Sequence, residues 1–242
     1  GTFSDGVIRI GADDRLTHFD QVQQLSSGNV RALVVDAQDR VWVGTQGGLL
    51  RIVDGRVERP EIHGLPKQEL VTALGLHEGQ LWVGSTEGVR IVRQDHVQRL
   101  ELNQLGGART VLGLQSIGKA MWISTDRGLY RHLDGKLGHV GLEQGLPVDA
   151  VFQIVPDRLG NVWLSSNRGI LRTDMVSLNE VADGRRDQLE GIERYAEIDG
   201  MSNSQANGSS GPGSMLDHKG RYWVVTAGGL SVVDPQDLRQ LR

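Results

Sequence analysis

Residues 31–53 read RALVVDAQDRVWVGTQGGLLRIV, and this stretch decides the fold. The apolar run 31–35 is typical of a buried strand, and the polar residues after it are typical of a turn. A second strand, 41–45, leads into a hairpin whose glycines supply the positive φ that a tight turn needs. A third strand at 49–53 and a short fourth strand around Val57 complete four antiparallel strands in about 40 residues, the size of one propeller blade.

The same unit recurs along the chain. Five tryptophans, separated by 40, 40, 41 and 60 residues, set its register: Trp42, Trp82, Trp122, Trp163 and Trp223. Three residues after each tryptophan stands a hydroxyl residue: Thr45, Ser85, Thr125, Ser166 and Thr226. Six residues after each stands a glycine: Gly48, Gly88, Gly128, Gly169 and Gly229. Apart from one insertion, no segment keeps the 3.6-residue apolar period of a helix, so the pattern predicts an all-β propeller rather than a helical repeat.

The repeat predicts five four-stranded blades plus part of a sixth. The blades are placed at 28–63, 64–103, 104–144, 145–199 (with an insertion at 174–199) and 200–242, after a partial blade at 1–27. Gly1-Thr2 aligns with Gly44-Thr45, with one extra residue in the turn that follows, so the chain is expected to start inside a blade. We therefore interpret it as the C-terminal part of a larger ring of about seven blades.

Composition excludes several classes of function. Acidic residues outnumber basic ones 30 to 26, which disfavours a nucleic-acid partner. The chain has no cysteine, so disulfides, thiol catalysis and cysteine-ligated zinc are excluded. No apolar run approaches the roughly 20 residues of a membrane-spanning helix. The seven histidines show no His-x-His or His-x-x-x-His spacing, so we expect no metal and no cofactor.

The fullest copy of the repeat, residues 145–170, reads GLPVDAVFQIVPDRLGNVWLSSNRGI. Its Gly-Leu-Pro start, turn aspartate and Gly-x-x-Trp core return in part at 64–85 and at 220–230. This pattern resembles the two-component regulator propeller repeat over essentially the whole chain. The copy around Trp122 departs from it, because the turn aspartate is absent there.

The resemblance implies a function as well as a fold. Propellers of this family form the periplasmic, extracytoplasmic sensor of inner-membrane-anchored signalling proteins, whose output module is a histidine kinase or a diguanylate cyclase. It implies that this region binds a ligand and is not itself an enzyme, and that contact with the membrane is made only through flanking segments. It also allows a homodimer of the parent protein.

Most of the conspicuous residues have a structural interpretation. A tryptophan repeated in every blade is best explained as a wedge between neighbouring sheets. Asp36, Asp157 and Asp217 each stand six residues before a tryptophan, and their repetition favours a role in the turn over a unique acid/base site.

Function is expected where the repeat is broken, between residues 174 and 214. Residues 188–195 are interpreted as a helical turn, weakened by Gly191. The polar, glycine-rich segment 200–214 stands where other blades begin their innermost strand, beside the central channel. It is either a flexible loop or a binding element whose amides suit a small polar ligand such as a carbohydrate. The candidate rim residues are Asn203, Gln205 and Asn207, with the equivalent positions Gln68, Arg109 and Asp149.

Two other functions stay open at this stage. A propeller enzyme acting on polysaccharide, a lyase or a hydrolase, would need a unique acid/base pair or metal cluster in the channel. No non-repeated pair of that kind is evident in the sequence. A protein-interaction scaffold would need only a complementary surface.

Overall fold

The computed structural model describes residues 1–20, 27–93, 96–208 and 210–239. They form six antiparallel sheets, each of which lies within one predicted blade segment. The predicted all-β propeller is confirmed, while the boundaries between blades stay predictions. We call the two-stranded sheet the partial blade and number the following sheets blades 1 to 5.

The strands follow one another outward from the channel in each blade. The partial blade has β1 (Val7–Ile10) and β2 (Leu16–Phe19). Blade 1 has β3 (Val30–Val35), β4 (Val41–Thr45), β5 (Gly48–Val53) and β6 (Arg56–Glu58). Blade 2 has β7 (Val71–His77), β8 (Gln80–Ser85), β9 (Gly88–Val92) and β10 (Val97–Leu100). Blade 3 has β11 (Val111–Ile117), β12 (Ala120–Thr125), β13 (Gly128–Leu133) and β14 (Lys136–Val140).

Blades 4 and 5 are less regular than the first three. Blade 4 has β15 (Gln153–Pro156), β16 (Asn161–Ser166), β17 (Gly169–Asp174), a helix α1 (Met175–Ala182) and β18 (Glu193–Tyr195). Blade 5 has β19 (Ser214–Leu216), β20 (Tyr222–Thr226) and β21 (Gly229–Val233). Short 3-10 turns occupy Leu142–Gln144, Glu197–Asp199 and Asp237–Arg239. The strands β3, β7, β11, β15 and β19 contact one another in succession and surround the central channel.

Blade 5 has three strands among the described residues, one fewer than predicted. After β21 the chain turns at Asp234, whose carboxylate accepts a hydrogen bond from the Gln236 N–H at 2.9 Å. Pro235, between them, has no N–H to donate to a strand ladder. This local chemistry ends the pairing at Val233.

The turn aspartates have the structural role that their repetition predicts. Asp36 Oδ1 accepts hydrogen bonds from the Gln38 and Arg40 N–H groups, both at 3.0 Å. Its Oδ2 accepts from the Trp42 indole at 2.8 Å. The same bond from carboxylate to indole recurs in blades 4 and 5. One side chain thus closes the β3–β4 turn and fixes the tryptophan that packs against the next blade.

The recurrent hydroxyl and glycine form the second turn of each blade. Thr45 Oγ1 donates to the Gly48 carbonyl at 2.8 Å and accepts from the Gly47 N–H at 3.1 Å. In the partial blade, Thr2 Oγ1 donates to the Gly6 carbonyl at 2.9 Å. That bond spans one residue more than its counterpart in blade 1, as the sequence alignment predicts.

The insertion in blade 4 contains a helix, but not where the sequence predicts one. Asp174 caps α1 by accepting a hydrogen bond from the Ser177 N–H at 2.7 Å. The helical turn predicted at 188–195 is wrong, because 193–195 is strand β18, paired with β17. Gly191, with φ of +66°, bends the chain just before that strand.

Helix α1 crosses to the neighbouring blade and packs on it. Its Leu178 and Val181 are buried in the same hydrophobic cluster as Trp122 of blade 3. Arg131 Nη1 donates to the Asn179 side chain at 2.7 Å, and its other terminal nitrogen pairs with Asp183 at the end of the helix. The insertion therefore joins blades 3 and 4 and lies away from the residues that line the channel cavity.

Candidate functional site

The innermost strand of blade 5 carries the largest irregularity of the repeat. In blades 1 to 3 the ladder between the first two strands skips a single residue: Arg31, Thr72 or Leu112. In blade 5 the pairing passes from an Ala206–Thr226 bridge to a Ser214–Val224 pair. The stretch 207–213 therefore stands where blades 1 to 3 have one residue; we call it the channel segment and describe it at 207–208 and 210–213.

The base of the channel segment is closed by two backbone hydrogen bonds. Asn207 N–H donates to the Val225 carbonyl, and Val225 N–H donates to the Gly213 carbonyl, both at 2.9 Å. Both ends of the segment are thus fixed to the same residue of β20. The segment leaves the strand and returns to it in the manner of an enlarged β-bulge.

The channel segment is also bound to the blades on either side. Gln153 Oε1 of blade 4 accepts from the N–H groups of Gly213 and Ser214, both at 2.9 Å, and its Nε2 donates to the Ser214 carbonyl at 3.0 Å. At the far end, Gly211 N–H donates to the Arg31 carbonyl of blade 1 at 2.8 Å. The segment thus spans the channel between blades 4 and 1 through specific hydrogen bonds.

Gly208 permits the closest approach of the channel segment to the wall. A β-carbon at this position would collide with the Phe152 ring of blade 4. A larger residue would therefore push the segment away from blade 4. Glycine is required here for space rather than for flexibility.

The channel encloses a cavity of about 290 Å³ between the innermost strands and the channel segment. This volume lies at the lower end of the range for small-molecule sites. Its polar lining consists of Gln115, Ser116, Gln153, Asn207 and Ser210. Of the described residues that line it, none is Asp, Glu, Lys or Arg. Amides and hydroxyls both donate and accept hydrogen bonds, so the cavity can hold a small polar group without a charge partner.

One of the six predicted rim residues lines this cavity, namely Asn207. Asn203 and Gln205 lie just before the channel segment, where the Asn203 side chain accepts from the Gln205 N–H at 2.8 Å. Gln68, Arg109 and Asp149 are exposed in the loops that precede β7, β11 and β15. The structure thus brings one candidate to the cavity and leaves three exposed in loops outside its lining, and a contact of any of the six with a ligand stays a prediction.

Sequence reasoning missed Gln153, Phe152 and Ser210. At the position of Gln153 in the ladder, blades 1 to 3 have Ala32, Ala73 and Gly113. A long amide side chain at a position where these blades have a small residue would have indicated Gln153 as a candidate site residue.

A wider groove of about 1070 Å³ lies between blades 1 and 2, on the side of the β3–β4 turn. Two arginines of its lining are already paired in the structure. Arg40 pairs with Asp36 at 2.6 Å, and Arg51 pairs with Glu58 at 2.7 Å. These pairs support the repeat geometry, so the groove is a weaker candidate for a site than the channel.

Among the described residues, no three His, Asp or Glu side chains gather into a group that could hold a metal ion. Nor does any described helix have the length and apolar character needed to cross a membrane.

Blade 2 lacks the turn aspartate, and its tryptophan lies between one histidine of blade 2 and one of blade 3. Leu76 stands six residues before Trp82, whose buried indole nitrogen has no hydrogen-bond partner among the described residues. The rings of His132 and His77 meet the Trp82 ring edge-on, with centroids 5.2 and 6.2 Å away. His77 Nδ1 lies 2.8 Å from Ser116 Oγ.

Burial lowers the pKa of His132 below its ordinary value of 6.5, and the neighbouring His77 and Arg93 lower it further. Glu78 and Asp134 act in the opposite direction and are outweighed. Below pH 6.5 the unfolded chain therefore binds more protons than the folded one. We expect the free energy of unfolding to fall as the pH drops from 7.5 to 5.5, measured by urea denaturation.

The variant His132→Gln should lose part of this pH dependence. Equal pH slopes for wild type and His132→Gln would contradict the assignment.

The comparisons with known proteins support the propeller fold that the sequence repeat predicts. The family model "Two component regulator propeller" matches residues 24–47. A histidine kinase of Formosa agariphila is 22% identical over 216 residues, which is 87% of this chain and 13% of the relative. The chain thus spans a small part of that curated relative.

Solved structures show the same fold at low identity. The extracellular domain assigned to a hybrid two-component system of B. thetaiotaomicron superposes with a TM-score of 0.78 at 18% identity, over 99% of this chain and 32% of that one. The virginiamycin B lyase of Staphylococcus aureus superposes with a TM-score of 0.57 at 14% identity, over 85% of this chain and 69% of that one. Geometry, family match and the repeat of five tryptophans therefore agree: the chain is a β-propeller, and its residues 24–47 match the two-component regulator propeller repeat.

Proposed function

We propose that this chain is a sensory propeller that binds a small polar ligand in its central channel. The observation that carries the proposal is the channel segment, an irregularity of one blade that closes a cavity whose polar side chains are amides and hydroxyls. A ligand in that cavity would contact the segment and the innermost strands of blades 1 to 4 together. Such a ligand can shift the arrangement of the blades if it binds one arrangement more tightly than another.

The parent protein is proposed to be a membrane-anchored signalling protein with this propeller outside the cytoplasm. Two similar proteins support this, one a histidine kinase and one the extracellular domain of a two-component system. We propose that the propeller itself is not catalytic. The likeness to a lyase is one of fold alone, at 14% identity.

The test is calorimetric titration of the 242-residue chain with a panel of neutral and charged monosaccharides. A ligand that binds in the channel should bind about tenfold more weakly to Asn207→Ala, because one or two side-chain hydrogen bonds are lost. The backbone bond of residue 207 to Val225 is kept in this variant.

The matched control is Asn103→Ala, which removes the same amide from an exposed loop outside the channel cavity. It should bind like the wild type. Equal affinity of Asn207→Ala and wild type for every bound sugar would overturn the channel as the site, and no binding by any member of the panel would overturn a saccharide-like ligand.

A further inference from the structure

Ser116 connects the channel cavity with the groove between blades 1 and 2, because it belongs to both linings. Its hydroxyl oxygen lies 2.8 Å from Nδ1 of His77, a buried residue that lines the groove. Leu76, directly before this histidine, also belongs to both linings. A displacement of the His77 ring therefore acts directly on the wall of the channel.

The contact between blades 2 and 3 depends on two histidines. His77 of β7 and His132 of β13 belong to these two blades, and both rings meet the ring of Trp82. In blades 1, 4 and 5 a turn aspartate accepts the indole N–H at this position. Blade 2 has Leu76 there. Where other blades have a permanently charged carboxylate, this interface has imidazoles, which change their charge near neutral pH.

His132 lies against an apolar part of the interface. In the sheet of blade 3 it stands opposite Met121 and Leu137, and both pack in the hydrophobic cluster that contains Trp82. Taking a charged group out of water into such surroundings is unfavourable unless a partner compensates it. A proton on His132 therefore favours an arrangement in which the two blades separate and water reaches the ring.

The charged side chains around His132 come from both blades, and on balance they oppose the proton. They are His77 on β7, Glu78 in the β7–β8 turn, Arg93 after β9 and Asp134 in the β13–β14 turn. The two carboxylates attract the proton, but burial, His77 and Arg93 outweigh them and hold the pKa of His132 below 6.5. The ring is therefore neutral at pH 7.5 and is half protonated only below pH 6.5.

From these contacts we infer that protonation of His132 loosens blade 2 from blade 3 within the folded chain and moves Ser116 in the channel wall. His77 belongs to blade 2 and Ser116 to blade 3, so separation of the blades breaks the contact between them. The channel then has one form at neutral pH and another in acid. This inference is independent of the proposed ligand. It also differs from the predicted loss of stability, because the response occurs before the chain unfolds.

The experiment is a pH titration of the isotopically labelled 242-residue chain, without ligand, followed by two-dimensional NMR from pH 7.5 to 5. The ring resonances of His132 should titrate with a midpoint below pH 6.5. The backbone amide peak of Ser116 and the indole N–H peak of Trp82 should shift with the same midpoint. The amide peak of Ala32, which lines the channel from blade 1, should shift less, because the opening lies between blades 2 and 3.

Two variants assign the response. His132→Gln should abolish the shift of Ser116 at that midpoint. His77→Gln keeps a hydrogen-bonding side chain beside Ser116 and removes the positive charge that opposes the proton, so the midpoints of His132 and Ser116 should rise together. The matched control is His218→Gln, which removes an exposed histidine outside both cavities and should leave the Ser116 midpoint unchanged.

A Ser116 response that persists in His132→Gln would assign it to His77 and overturn the inference. An unchanged Ser116 peak while His132 titrates would overturn it too, as would a His132 ring that stays neutral down to pH 5. Loss of all peaks of the folded chain at one midpoint would show unfolding rather than an opening between two blades, with the same consequence. If His132→Gln fails to fold, His77→Gln decides the question, because the two midpoints must move together. The sugar titrations at neutral pH test the proposed function separately.

Discussion

Replacing Trp163 with alanine should lower the free energy of unfolding by about 3 to 5 kcal/mol, which is the usual cost of emptying a large aromatic site in a packed core. Trp163 is fully buried between blades 4 and 5. Its ring stacks on Tyr222 and Tyr195, with centroids 5.1 and 5.6 Å away. The substitution also removes the indole donor from Asp157. Urea denaturation followed by circular dichroism measures the effect.

Trp223 provides the matched control, because it stands at the same position of the repeat and is only half-buried. Its indole donates to Asp217 at 2.9 Å, and the Arg221 guanidinium lies 5.2 Å from its ring, so the polar contacts are of the same kind. Trp223→Ala should therefore cost clearly less than Trp163→Ala. Equal costs would show that the polar contacts that both tryptophans make, rather than burial between blades, account for their contribution to stability.

Replacing Gly128 with alanine is the second substitution with a large expected effect. Gly128 has φ of +90°, and a β-carbon there would collide with the Val140 carbonyl of β14 in the same blade. Backbone strain at such a φ costs about 1 to 3 kcal/mol. The clash adds about 1 to 3 kcal/mol, because the obstacle is backbone that must shift rather than a flexible side chain. The loss in unfolding free energy is measured in the same urea assay.

Gly229→Ala separates these two contributions. Gly229 stands at the same repeat position with φ of +125°, and nothing lies within 4 Å of the β-carbon that alanine would add. This variant should carry the strain cost alone. If Gly229→Ala destabilises the chain as much as Gly128→Ala does, the collision with Val140 contributes nothing and the stated reason is wrong.

The fold was predictable because each repeated residue has a short-range reason to recur. Asp36 closes a turn within five residues and binds an indole six residues away, and Thr45 binds the carbonyl of a glycine three residues away. Bonds of this kind depend on sequence spacing alone, so a sequence displays them. The alignment of Thr2 with Thr45 is confirmed for the same reason, because both hydroxyls donate to a nearby glycine carbonyl.

The site was less predictable because its contacts cross between blades. Gln153 and Ser214 are hydrogen-bonded although 61 residues separate them, and Gly211 meets Arg31 across the channel. A glycine-rich stretch has no periodicity from which such partners can be read. Asn207 was identified by its amide and its place before an innermost strand, while Gln68, Arg109 and Asp149 share that place in the repeat but are exposed in their loops. The helix was misplaced because the contacts of α1 with blade 3, through Leu178 and Arg131, are absent from any local pattern.

Helix α1 strengthens the interface between blades 3 and 4. The stability of a repeat array is approximately the sum of the stabilities of its units and of the interfaces between neighbours. The interface between blades 3 and 4 has an extra layer, because a helix that follows β17 in the chain is buried against β14 and anchored by Arg131. We therefore expect blades 3 and 4 to open together as one cooperative unit, and the other interfaces between blades to open at lower cost.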